Sequence, residues 1–165
     1  MPAPIPANEA ARLAALRHYA VLDTDSEPAF DRITLIASRV LGVPIALVSL
    51  IDEGRQWFKS RIGLDAIETP RADAFCAHAI LDTQPMVVPD ARRDQRFAEN
   101  PLVLGAPHIR FYAGAPLETP DGFNLGTLCA IDTQPRQFDE QQLATLRDLA
   151  ALVVDQLESR ATLRS

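Results

Sequence analysis

Residues Ile45 to Ile51 form an apolar, β-branched-rich run broken only by Ser49. Such a run fits a strand covered on both faces, so the chain must place material above and below one sheet. Gly42 and Pro44 separate the run from a helical stretch before it. That stretch opens near Ser26 and Pro28 and sets Phe30, Ile33, Ile36, Ala37, Val40 and Leu41 at helical spacing. Asn8 predicts the cap of an earlier helix reaching about His18, with Leu13, Leu16 and Ala20 on one stripe. After the run, Asp52-Glu53-Gly54 reads as a turn and Gln56 to Ile62 as the second arm of a hairpin.

Further along, Asp73 predicts the cap of a short helix, Ala74 to Leu81, and Met86 to Val88 a short strand. Asp90 to Pro107 carries charges and turn residues and reads as a long irregular segment. Ile109 to Leu117 and Leu125 to Ile131 read as strands around the turn Pro120-Asp121-Gly122. The final helix starts at Asp139, with Gln142 three residues on and Phe138 placed to staple against Leu143, and runs to about Arg160. This order predicts an α/β (α+β) fold with a central, mainly antiparallel sheet. Long terminal helices would cover one face; the short helix and long loop would cover a pocket on the other. One domain over 1–165 is expected: an N-terminal helix and connector over 1–25, a core over 26–138 and a C-terminal helix over 139–165.

A net charge of −6 argues against nucleic acid and anionic membrane surfaces as partners. No apolar run approaches the ~20 residues of a membrane span, and Met1 to Ala7 lacks the pattern of a signal peptide, so a cytoplasmic location is expected. In that reducing compartment Cys76 and Cys129 should be free thiols.

The strand Ile109 to Leu117 is the most informative segment for chemistry. Alternation puts Ile109, Phe111, Ala113, Ala115 and Leu117 on one face and Arg110, Tyr112, Gly114 and Pro116 on the other. The first set suits a core; the second faces water or a cavity. Arg110 would then either pin the loop through Asp90 or Asp94 or offer a forked donor to an anion or carbonyl group. Cys76 near a helix start is a candidate reactive thiol, but His78, two residues on, points away and supplies no local base. Cys76, Cys129, His78 and His108 lack the paired spacing of a zinc site, so no metal is expected. Arg92, Arg93, Asp94 and Arg96 read as a self-satisfied, solvated loop. Trp57 either lines a pocket or caps the core edge. The candidate ligand-binding set is Trp57, Cys76, His78, Phe97, Arg110 and Tyr112; no catalytic residue is assigned.

Phe75-Cys76-Ala77-His78-Ala79-Ile80, Val87-Val88-Pro89-Asp90-Ala91, Arg96-Phe97 with Asn100-Pro101, Ile109 through Leu117, and Leu125 through Asp132 occur in a specific order. Together they resemble the bacterial GAF domain, in particular the subgroup of sensor histidine kinases and diguanylate cyclases. The resemblance implies a sensory module that binds a small molecule or mediates dimerisation. The Asn-Lys, Phe and Asp-Glu pattern of cyclic-nucleotide-binding members is not visible, and Cys76 does not match the bilin-attaching position. The two cysteines also do not reproduce the set used by the methionine-sulfoxide-reducing members. The expected role is therefore a non-enzymatic sensor in two-component or cyclic di-GMP signalling, with no cofactor assigned. Its expected partners are an unidentified small-molecule ligand, a second copy meeting it through the terminal helices, and a kinase or cyclase effector in cis or in trans. Two alternatives stand beside it: a thiol-based redox sensor or reductase using Cys76, and a dimerisation module with no ligand.

Overall fold

The computed structural model describes residues 1–164. Two helices, α1 (Glu9–His18) and α2 (Pro28–Leu41), precede the hairpin of β1 (Ile45–Ile51) and β2 (Arg55–Ile62). A short strand β3 (Glu68–Pro70), a helical turn over Arg71–Asp73 and α3 (Phe75–Ala79) follow. Next come β4 (Met86–Val88), a turn over Ala91–Arg93, α4 (Pro101–Leu104), β5 (Phe111–Glu118), β6 (Asn124–Asp132) and the long α5 (Glu140–Arg164). The strands form one antiparallel sheet in the order β3-β2-β1-β6-β5-β4. No helix is long and apolar enough to cross a membrane among the described residues.

Local chemistry explains the element ends. Gly42 ends α2 in the left-handed region at φ 66°, which costs glycine no Cβ clash, and its amide reaches back to the Ser38 carbonyl. The predicted box at the start of α5 is present: the Gln142 amide donates to Asp139 Oδ1 at 2.8 Å, and the Asp139 amide to Gln142 Oε1 at 2.9 Å. Phe138 lays its ring against Phe111, 4.7 Å between centroids. Asn8 and Asp73 make no side-chain cap, and Ala20 lies beyond α1, exposed at φ 49°.

Two cores share the sheet. Alternate residues of β1 (Ala46, Val48, Leu50) join Phe111, Ala113, Ala115, Leu128 and Ala130 under α2 and α5. The opposite set (Ile45, Leu47, Ile51) joins Phe58, Tyr112, Cys129 and Ile131 under α3, α4 and their loops. Ile109 departs from its expected face. The strand starts only at Phe111, after His108 takes φ 61°, and the Ile109 amide donates to the Leu102 carbonyl, so its side chain joins the second core. In β2 the register gains a residue between Phe58 and Ser60, opposite Ser49 and Val48. Gln56 and Phe58 therefore face one side, while Trp57 and, beyond the bulge, Ser60 face α2.

Candidate functional site

The second core is not filled. A cavity of about 370 Å³ lies between the sheet and its cover. Ile45, Leu47, Gln56, Phe58, Tyr112, Cys129 and Ile131 form the floor. The walls come from residues 63–66, Thr69, Phe75, Cys76, Leu102, Ala106, Pro107 and Ile109. Its size falls within the range of small-molecule sites, which combine an apolar lining with a few convergent polar groups.

The polar groups form two short chains on that floor. In the first, the Ser49 hydroxyl donates to Gln56 Oε1 at 2.6 Å, and Gln56 Nε2 donates to Thr69 Oγ1 at 2.9 Å. In the second, the Tyr112 hydroxyl donates to Cys76 Sγ at 3.1 Å, and Cys76 lies 2.9 Å from Thr127 Oγ1. Gly114 makes the second chain possible. A Cβ there would meet the Tyr112 phenol oxygen at 2.2 Å, so only glycine lets the ring lie along β5 and reach α3. Burial alone would push the Cys76 thiol up; hydrogen bonding with its polar neighbours, Cys129, Thr127 and Tyr112 among them, outweighs it and holds it at about 7. Burial and the neighbouring Cys76 push Cys129 the other way, so Cys76 is the more acidic thiol of this pair.

A family model for the GAF domain matches residues 25–157. The chain belongs to the GAF domain family. It is 45% identical, over 98% of its length, to a cyclic di-GMP phosphodiesterase of Pseudomonas aeruginosa, of which it spans 27%. The fold is shared with the GAF domain of a phosphoenolpyruvate-protein phosphotransferase from Coxiella burnetii, with TM-score 0.69, 19% identity and 93% and 97% of the two chains covered. It is shared as well with a free methionine-R-sulfoxide reductase from Neisseria meningitidis solved with its substrate: TM-score 0.67, 18% identity, 92% and 93% covered. GAF is a sensory domain, and at these identities the two solved structures speak for the fold alone.

The structure of this GAF domain distributes the six candidate residues unevenly. Tyr112 and Cys76 line the cavity. Phe97 stands one layer behind it, stacked on the wall residue Phe75 at 4.0 Å between centroids. His78 points away from Cys76, as its position two residues on requires; its Nε2 lies 3.0 Å from the Met1 carbonyl and its ring meets the Phe97 edge. Burial lowers the pKa of His78, favouring the neutral ring. Trp57 belongs to the core on the helix side. Arg110 serves neither of its expected uses: it donates to the Val103 and Ile109 carbonyls at 3.0 and 3.1 Å, clamping α4 to the start of β5. Asp90 and Asp94 pair with Arg92 and Arg96 instead, the self-satisfied loop that the sequence suggests.

Sequence reasoning did not single out Gln56, Asp65, Thr69 or Phe75, all of which touch the cavity. A weak signal existed for Gln56, which alternation places on the same face as Phe58 two residues on. Cys129 lies within reach of Cys76, which its place in a strand does not by itself require. The antiparallel register brings it there: Cys129 pairs with Leu47 and Gly114, and α3 packs on β6.

Proposed function

We propose that this GAF domain binds a small molecule in the 370 Å³ cavity and passes the event through its terminal helices to an effector of cyclic di-GMP signalling in the cytoplasm. The observation behind this reading is that β5 serves the cavity and the long helix at once. Tyr112 touches the cavity, while its neighbours Phe111 and Ala113 seat α5 from the opposite face. A ligand that moves Tyr112 moves the seat of α5, the kind of packing shift that interfaces amplify. The relative from Pseudomonas aeruginosa favours a phosphodiesterase as the effector over a kinase or cyclase. Native mass spectrometry of the protein purified from cells tests the reading. An adduct lost on filling the cavity by Ala66→Trp is expected; an adduct untouched by that change argues for another site.

The dimer remains part of the proposal in reduced form. Ala150 of α5 is buried and Val154 half-buried within the chain, which absorbs part of the wide apolar arc. Ala151 and Leu152 on α5, and Ala10, Ala11 and Ala14 on α1, stay exposed. These are the residues available to a second copy in a two-fold helical bundle. Sedimentation of the wild type against Leu152→Glu is the check: a dimer that the variant splits is expected, and a monomer in both cases ends the idea.

A thiol redox sensor is the second reading, favoured by the coupling of Cys76 to Cys129. Peroxide would then oxidise both thiols to one disulfide, itself reduced to two waters, with loss of two titratable thiols. Unchanged thiol counts after peroxide treatment leave the small-molecule reading alone.

A further inference from the structure

Resting on the small-molecule reading, we infer that the cavity takes an uncharged or cationic, largely apolar molecule carrying a hydrogen-bond acceptor for Gln56 and Thr69. Phosphate and carboxylate ligands are excluded by the same lining. The first ground is charge. No lysine, arginine or histidine touches the cavity, and Asp65 is its one charged wall residue. Among the described residues Asp65 makes no hydrogen bond or ion pair. A buried anion needs a paired cation or a dense set of donors, and a second anion at the mouth repels it. Arg110, the guanidinium nearest in sequence to Tyr112, is committed to the Val103 and Ile109 carbonyls.

The second ground is the direction of the hydrogen bonds. Gln56 is buried, its carbonyl is occupied by Ser49, and one of its two N–H groups goes to Thr69 Oγ1. Thr69 accepts that bond, so its own proton is free to donate, as is the second amide hydrogen of Gln56. Two donors on adjacent strands therefore present themselves at one place on the wall. They suit a carbonyl oxygen or a ring nitrogen. The Tyr112 hydroxyl does not add a donor, because it is spent on Cys76. The remaining lining near the floor is Ile45, Leu47, Phe58, Phe75 and Ile131, which suits a flat apolar body. An ammonium or N–H group on the ligand would find its acceptor at Asp65. A cyclic dinucleotide, with its phosphates, does not fit this chemistry, so the cavity would report a signal distinct from the cyclic di-GMP that the proposed effector handles.

Three probes on one benzamide ring test the inference on the intact chain: benzamide, 4-(aminomethyl)benzamide and 4-carboxybenzamide, followed by protein-observed NMR at cavity residues. The expected order of affinity is aminomethyl, then neutral, then carboxylate, with about tenfold between the ends. Asp65→Asn should collapse the spread between the charged probes, and Thr69→Val should weaken benzamide about fivefold, the value of one lost hydrogen bond. Gln56→Leu should do the same; Thr69→Val on the short edge strand guards against a Gln56 variant that does not fold. Cyclic di-GMP should leave cavity signals unmoved. Equal or tighter binding of 4-carboxybenzamide, or cavity binding of cyclic di-GMP, overturns the ligand class and leaves the sensory reading standing. So does an anionic adduct in native mass spectrometry, whereas a neutral or cationic adduct supports the class even if the fragments are too weak to see. No fragment binding together with no adduct overturns both.

Discussion

The two faces of the sheet are built from alternate residues of the same strands, yet one is packed and the other hollow. On the helix side, α2 and α5 present rows of side chains such as Phe30, Ile33, Ala37, Leu146, Leu149 and Val153, which fill the space over β1, β5 and β6. On the other side the cover is a string of short pieces: a helical turn, a five-residue helix, a four-residue helix and loops. Short pieces cannot lay down continuous rows, so a void persists between them and the floor. The difference teaches that alternation gives both faces apolar residues, and that the regularity of the cover decides whether they meet a partner.

Truncating one leucine on each face breaks or upholds this contrast most directly. Leu128 and Leu47 sit on adjacent central strands, on opposite faces. Leu128→Ala is expected to cost about 4 kcal/mol, because it opens a new void in a filled core. Leu47→Ala enlarges a cavity already present and should cost about 2.5 kcal/mol, near the low end for that change. Equal losses in urea unfolding would show that the second face is as tightly packed as the first.

A smaller effect belongs to the ion cluster that ties the cover to α1. Glu9 receives Arg12 Nε at 2.8 Å and also pairs with Arg71, which directly follows β3 and the cavity residue Thr69. Burial would raise the Glu9 pKa; Arg12 and Arg71 outweigh it and hold it at about 2. Because the folded value is depressed, its stabilisation is present above the ordinary 4.5 and fades as pH falls towards 2. Glu9→Gln should cost about 2 kcal/mol at pH 7, since it leaves two arginines short of a partner. The gap between variant and wild type should narrow below pH 4.5 and close near pH 2. A pH-independent gap would mean that packing, and not charge, is what Glu9 supplies.

Gly114→Ala sharpens the comparison on the floor itself. The new methyl meets the Tyr112 phenol and forces the ring off its site, at about 1.5 kcal/mol. Thermal unfolding measures the loss, and the NMR signals of Cys76 report the displaced ring. Least of all, Tyr112→Phe removes the hydroxyl with its bond to Cys76 and its longer contact to Thr127 at 3.3 Å, together worth about 1 kcal/mol. Since that bond favours the thiolate, the Cys76 pKa should rise from about 7. Thiolate absorbance against pH follows it; a fall would invert the assigned direction of the bond.

Local signals were legible in the chain. The Asp139–Gln142 box, the Gly42 stop and the doubly covered β1 each depend on a few neighbouring residues, and each is present. Parity was not legible where it mattered. Trp57 could line a pocket or cap the core edge on its sequence, but Leu50 pairs with Trp57 and faces the helices, so Trp57 must as well. Since β1 is apolar on both faces, its sequence carries no mark of which residues look at which layer. β3 was missed because three residues, two of them exposed, ending in proline leave no pattern.

The sequence by itself determined the longer helices and strands, the antiparallel α+β plan and the two-sided burial, because helix stops and apolar periods are properties of neighbours along the chain. Tertiary structure alone decided the site. It set Cys129 beside Cys76 across 53 positions (129 less 76) and turned Gln56 inward. It also spent Arg110 on two carbonyls of the cover instead of on a ligand. Those outcomes follow from strand register and from which backbone groups lie unpaired nearby, and neither quantity exists until the strands have met.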